Sequence, residues 1–255
     1  MNRKHIKGWQ PILVILLFLI FWQLSIKCLK IEAWLLPGPI EILKEGIQSF
    51  DSLLPHVLST VQLTISGFLV GTFFGLMIAI LLHLIPGFKE AFYPLLILSQ
   101  NVPIIVLAPL LIIWFGFGLL PKLIIISLVC FFPITVSALD GFRQTPNELI
   151  NYMKMAGATK SQLFWKIECP YSLPSIFSGL KISATYSVMG AVISEWLGAK
   201  TGIGVFMTLA SSSFRTDRVF VSIFIIMFLS MFFFGVIVLL ERMTVKWKSK
   251  GVNQK

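Results

Sequence analysis

The sequence predicts an all-α, polytopic transmembrane helix bundle of about six spans, with a short polar helix pair on one side. Three observations carry this prediction. The chain is 56% hydrophobic and only 13% charged. Its mean hydropathy of +0.89 is far above that of a water-soluble domain. Its apolar runs are about 20 residues long, the length that crosses a hydrocarbon core roughly 30 Å thick. Backbone groups in lipid have to pair within their own segment, so these runs are helices. We read residues 1–255 as a single transmembrane domain.

The spans fall at about residues 11–26, 57–84, 91–115, 120–139, 178–197 and 219–240. Before the first, Arg3, Lys4 and Lys7 precede the apolar run as in a secretory leader. No small-residue cleavage site follows, and Lys27 beside Cys28 spoils a lipoprotein-type site, so it reads as an uncleaved first helix. Between the first two spans, Leu35-Leu36-Pro37-Gly38-Pro39 leads into Ile40, Leu43, Ile47 and Phe50, the pattern of an interfacial helix. In the second span Gly67, Gly71 and Gly75 form a small-residue ladder that lets another helix approach closely.

In the third span, Ser99, Gln100 and Asn101 lie roughly 14 Å from the end at Ala91, at ~1.5 Å per residue, which is near mid-bilayer. Pro103 and Pro109 follow and break helix hydrogen bonding. Polar groups beside a broken helix mark a solute pathway; they serve equally as hydrogen-bonding glue to a neighbouring helix. The fourth span holds Cys130; together with Cys28 and Cys169 it shows no metal-type spacing, and all three read as packing residues. The fifth carries Lys181, Ser183, Thr185, Ser187 and Glu195, too polar a set to face lipid. Glu195, near the outer end, is expected to line an outer vestibule, to pair with Arg215 or Arg218, to meet an external partner or simply to be solvated at the interface. Trp34, Trp114 and Trp196 read as interface anchors.

Six spans place both termini on one side. That side, with Lys89, Arg143, Lys154, Lys160, Lys166, Lys181 and the basic ends of the chain, has twice as many Lys and Arg as the other. The positive-inside rule therefore predicts a multi-pass protein of the cytoplasmic membrane with both termini and segment 140–177 in the cytoplasm. The formal charge of +10 is thereby a topology signal, and no nucleic-acid partner is expected.

Segment 140–177 is the polar exception in an oily chain. Thr145-Pro146-Asn147-Glu148 has the form of a capped helix start. Leu149, Ile150 and Met153 continue as an apolar stripe, and Gly157 ends the helix in a left-handed cap. Thr159-Lys160-Ser161-Gln162 starts a second helix with a second capping box and stripe residues Leu163, Phe164 and Ile167, expected to stop at Pro170 and Pro174. Helices this short are marginal alone in water and need a surface: the bundle, lipid headgroups, or the groove of another protein.

These residues resemble the permease subunits of ABC importers that work with a binding protein. The signature of that family is a Glu-Ala-Ala triplet, a Gly four positions on and an Ile-x-Leu-Pro exit. Here Gly157, Ile167 and Pro170 keep the corner and the exit; Asn151, Tyr152 and Met153 replace the triplet, and Cys169 replaces the Leu. The likeness runs over about residues 30–245. Leu35–Pro39, Asn101-Val102-Pro103, Leu107–Gly118 and Ser194–Ala199 are similar to the nitrate, sulfonate and taurine branch. Ser213-Phe214-Arg215-Thr216-Asp217-Arg218 is similar to permeases for thiamine pyrimidine precursors.

The resemblance implies two permease copies as a homodimer in the lipid bilayer, a cytoplasmic ATPase dimer, and an external solute-binding protein. It implies that Asn151, Tyr152, Met153, Ala156, Gly157, Ala158, Ile167 and Pro170 are the ATPase-coupling residues, and it makes Ser99, Gln100, Asn101 and Glu195 the pathway candidates. The alternative cargoes are an alkanesulfonate or taurine and riboflavin. The chain itself has no G-x-x-x-x-G-K-[ST] phosphate loop, H-E-x-x-H or G-x-S-x-G. ATP and Mg are therefore expected on the partner ATPase, with no catalytic residue, metal or cofactor in this chain. An ion-coupled secondary transporter, the rival reading, calls for buried carboxylates at mid-span, where the sequence offers only Glu195, off centre.

Overall fold

A computed structural model describes residues 9–245. The terminal basic residues used in the orientation reading, Arg3, Lys4, Lys7, Lys246, Lys248, Lys250 and Lys255, lie outside the described residues. The chain is helical with no strands among the described residues: α1 (Gln10–Leu29), α2 (Pro39–Gln48), α3 (Phe50–Leu84), α4 (Phe88–Gln100), α5 (Ile104–Phe115), α6 (Leu119–Arg143), α7 (Asn147–Met155), α8 (Lys160–Leu163), a π-helical turn (Phe164–Glu168), α9 (Cys169–Glu195), α10 (Ile203–Ser212) and α11 (Thr216–Thr244). By length and composition five helices can cross a membrane, or six if the bent pair α4–α5 is one span.

α6 is the axis of the bundle, with α3 along one side and α9 along the other. The glycine ladder makes the first contact close. A Cβ on Gly67 would sit 2.5 Å from Ile126, and one on Gly71 would sit 2.8 Å from the Ser127 carbonyl oxygen. Thr135 donates to the Gly75 carbonyl oxygen at 3.1 Å across the same seam. Along the other side, Ser183 donates to the Cys130 carbonyl oxygen at 2.9 Å. Cys130 is wholly buried there, in the packing role its apolar run predicts.

The structure moves three expected boundaries. The span expected at 91–115 is two helices, α4 and α5, that meet at 97°. The break sits at Asn101–Pro103, because Pro103 has no N–H to continue α4; its φ of −61° and ψ of 121° start α5 instead. Pro109 stays inside α5. The second short helix does not stop at Pro170 and Pro174. It passes through the π turn into α9, where Pro170 occupies the first turn, a position that needs no N–H donor. The predicted cap at Thr145 also fails: α7 starts at Asn147 with Pro146 before it, and the Thr145 hydroxyl is buried without a partner.

α2 lies on the bundle through Ile42, which packs with Leu53, Phe206 and Val221. Its Ile40, Leu43 and Ile47 are exposed, as an interfacial helix requires, and so is Phe50 at the start of α3. An apolar groove of about 540 Å³ runs between α2, α3 and α11. α1 touches little of the bundle, and only its Ile26 is buried.

Candidate functional site

The polar segment between α6 and α9 is built as an exposed arm, a corner and a root. The arm is α7, which has no buried residue. Asn151 and Tyr152 are exposed on it, and Met153 is half-buried. The corner closes on two hydrogen bonds: Gly157 N–H to the Lys154 carbonyl oxygen at 3.0 Å and Ala158 N–H to the Met153 carbonyl oxygen at 3.0 Å. This pair is a Schellman motif, which needs a left-handed residue at its turn. Gly157 supplies it with φ +81°, and nothing lies within 4 Å of where a Cβ would be. Ala156 is exposed and Ala158 half-buried beside it.

Beyond the corner, α8 begins with the predicted capping box. The Thr159 hydroxyl accepts from Gln162 N–H at 3.3 Å, and the Gln162 side chain accepts from Thr159 N–H at 2.8 Å. The root follows at once. Leu163 and Phe164 are buried, and Phe164, only 1% exposed, clusters with residues of α3, α4, α6 and α9. Ile167 and Pro170, with Leu149 of the arm, line a notch of about 240 Å³ between arm and root. The root is the part that the sequence underread: its stripe was visible, but which surface it packs on was not.

The second candidate group sits at the α4–α5 break. Ser99, Gln100 and Asn101 are all exposed. Ser99 donates to the Leu96 carbonyl oxygen at 2.9 Å, and the Asn101 side chain donates to the Ile97 carbonyl oxygen at 2.9 Å. The second bond serves a carbonyl that the end of α4 leaves free, because Asn101 N–H turns to the Leu98 carbonyl oxygen instead. Among the described residues neither Gln100 nor Asn101 bonds to another helix, as the glue reading would need.

Glu195 belongs to neither group. It is 1% exposed and sits in a pocket between α3, α9 and α10. Its carboxylate accepts from the Thr60 hydroxyl at 2.6 Å and from Gly204 N–H at 2.8 Å. Thr60 Oγ1 in turn accepts from Ile203 N–H at 2.8 Å. The carboxylate thus caps the start of α10, where a helix presents free donors and partial positive charge. Gly202 is required beside it, since a Cβ there would fall 2.1 Å from the Glu195 carboxyl carbon. This corrects the expectation of a solvated or vestibule-lining Glu195.

The expected arginine pairing is corrected too. Arg218 Nε donates to Glu45 at 2.7 Å, and Arg215 pairs with both Glu45 and Asp217 at 2.9 Å. The hydrogen bond to Asp217 raises Arg215 above its already high ordinary value, so it stays cationic. Glu45 was missed in the sequence: it is one of two glutamates on an amphipathic helix, and its partners lie far along the chain.

The family model for the inner membrane component of binding-protein-dependent transport systems matches residues 71–246. The chain is 33% identical to the formylaminopyrimidine transport permease protein of Halalkalibacterium halodurans, over 97% of this chain and 99% of that one. It is 30% identical to the riboflavin transport system permease protein of Chloroflexus aurantiacus, over 92% of this chain and 88% of that one. A solved amino acid ABC transporter with histidines shares the fold, with a TM-score of 0.65 at 15% identity, over 78% of this chain and 96% of that one.

Proposed function

The chain belongs to the family of binding-protein-dependent transport system inner membrane components, and from that premise we propose how it carries solute. It is a permease subunit of an ABC importer, a transport subunit and not an enzyme, in a multi-pass membrane protein. The partners the family implies are an ATPase and a solute-binding protein. The corner segment faces the cytoplasm and seats its exposed arm, with Asn151, Tyr152 and Gly157, in a cleft of the ATPase. ATP binding and hydrolysis, with Mg, take place on that partner.

The single observation that carries this reading is the contrast within one short segment: an arm with no buried residue joined by a glycine corner to a root buried among four helices. A fold-stabilising insert would bury both halves. An arm that is ordered but unpartnered is the helix half of a helix-in-groove contact.

The pathway lies at the α4–α5 break. Irregular backbone and polar side chains at membrane depth are tolerated only against protein or water. Ser99, Gln100 and Asn101 are exposed on a single chain, so a second copy covers that face and encloses an aqueous path. This supports a homodimer whose two broken helices frame the route, with the solute passed by alternating access.

The cargo we propose is a small substituted pyrimidine of the thiamine-precursor type. The support is the near full-length similarity to the formylaminopyrimidine permease. The test is uptake of labelled formylaminopyrimidine by vesicles holding the chain with its ATPase and binding protein. Competition by unlabelled pyrimidine, and none by riboflavin or an alkanesulfonate, is expected. Competition by riboflavin alone would transfer the assignment to the riboflavin-type permeases.

A further inference from the structure

The end of α3 and the π turn meet in a joint that brings His83 and Glu168 to the root residue Phe164. His83 Nε2 lies 2.8 Å from Glu168 Oε2, with the two side chains 21% and 15% exposed. The His83 ring also lies 4.9 Å from the Phe142 ring and 5.9 Å from the Phe164 ring. Phe142 and Phe164 pack on each other at 5.3 Å. One cluster therefore joins α3, α6 and the π turn by a polar pair and a stack of rings. Leu96 of α4 is buried in the same cluster, within one turn of Ser99 and Gln100.

We propose that His83, Glu168 and Phe164 form the joint through which movement of the corner segment reaches the pathway helix α4. They are positioning residues: none touches solute or nucleotide. The inference rests on the coupling reading of the corner segment. Two features of the structure lead to it. First, the arm is unburied, so a displacement imposed on it enters the bundle at its two ends, the short 144–146 link to α6 and the root, and the root is the end that carries a large buried ring, Phe164. Second, the root is a π turn, an extra residue in the helical register that is often found where a helix has a functional task. A plain helix running into α9 would transmit a push along its own axis. The π turn instead aims Phe164 and Glu168 sideways, at α3 and at the cluster that holds α4. Packed cores shift between discrete arrangements and do not deform continuously, so a tightly filled joint carries small displacements onward. A claim of transmission requires evidence of coupling and not position alone, which sets the experiment.

The chain, with Cys28→Ser and a reporter at Val102→Cys beside the break, is reconstituted with its ATPase and binding protein. An impermeant maleimide is added outside, and Mg-ATP with vanadate traps the nucleotide-bound state. In this parent we expect the labelling rate to rise about tenfold, within the usual range of coupling factors. His83→Leu should lose most of that rise while vanadate-trapped nucleotide is unchanged. His83→Gln, which keeps a hydrogen bond to Glu168, should retain it. Lys181→Met removes a similar pair, Lys181 to Glu241 at 2.9 Å, away from the joint, and should also retain it.

A full rise in His83→Leu, or an equal loss in Lys181→Met, overturns the joint. If His83→Leu does not assemble, a His83→Cys, Glu168→Cys double variant decides. Bridging the two thiols with a short bifunctional reagent should restore the rise, and no restoration overturns the proposal. Gly157→Val separates this proposal from its premise. If Gly157→Val keeps the full rise, the coupling reading fails; if it loses the rise while His83→Leu keeps it, only the joint fails.

Discussion

At the scale of single residues, backbone geometry and side-chain chemistry have different consequences here. Gly157 is held at φ +81° by the turn and not by crowding, since its Cβ position is open. A left-handed conformation costs an L residue about 1–2 kcal/mol, and β-branched residues are the worst placed. Gly157→Ala should therefore keep most ATP-dependent uptake, and Gly157→Val should lose it while membrane insertion stays normal. Uptake in vesicles at matched protein level checks both, and full uptake by Gly157→Val would remove the corner from the coupling role. Glu195 is the opposite case, a carboxylate defined by its partners. Glu195→Ala leaves the buried Gly204 N–H unpaired, at a cost of roughly 1–3 kcal/mol. Thermal unfolding in detergent should show that loss, and a smaller one for Glu195→Gln, whose amide can still serve Gly204 and Thr60. An unchanged midpoint in Glu195→Ala would contradict the capping role.

At the scale of helices, the seams between them decide what is stable. The α3–α6 seam depends on bare backbone at Gly71, where a Cβ would lie 2.8 Å from the Ser127 carbonyl oxygen. Gly235 on α11 faces open space. Gly71→Leu is expected to cost about 1–3 kcal/mol through overpacking, and Gly235→Leu to be near neutral. Thermal midpoints of the two purified variants compare them directly; equal values would mean that the seam tolerates separation. The glycine ladder, the Gly157 corner and the Thr159–Gln162 capping box were legible in the sequence because each is a local pattern with a single physical purpose. The π turn was not legible. Pro170 and Pro174 read as stops, but Pro170 falls in the first turn of α9 and the helix continues through Pro174. The pairs His83–Glu168 and Glu45–Arg218 were hidden for another reason: each joins residues distant in the chain, and one sequence carries no record of which distant residues meet.

For the whole molecule, burial on one side and polarity on the other point outward. The bundle around α6 is well filled, while α1, α4 and α5 are mostly exposed, and the polar break lies on the uncovered part. Gln100 is exposed there and has no hydrogen-bond partner within the described residues. Gln100→Ala should thus leave stability unchanged and lower solute uptake, whereas Cys130→Ala, in the core, should do the reverse. Equal effects on uptake would count against a pathway at the break. The membrane class was readable from hydropathy alone, since lipid permits little besides helices; of the six expected spans, five are single helices and the other is the bent pair α4–α5. The 97° bend was readable only as a break at proline, because its angle is set by what packs on each half.

The central claim is that this polypeptide supplies a route and a lever but no motor. It is tested most directly by uptake of labelled formylaminopyrimidine into proteoliposomes that contain the chain alone, or the chain with its ATPase and binding protein, with ATP present in both. Accumulation against a gradient only in the complete assembly is the expected result. Accumulation by the chain alone would contradict it.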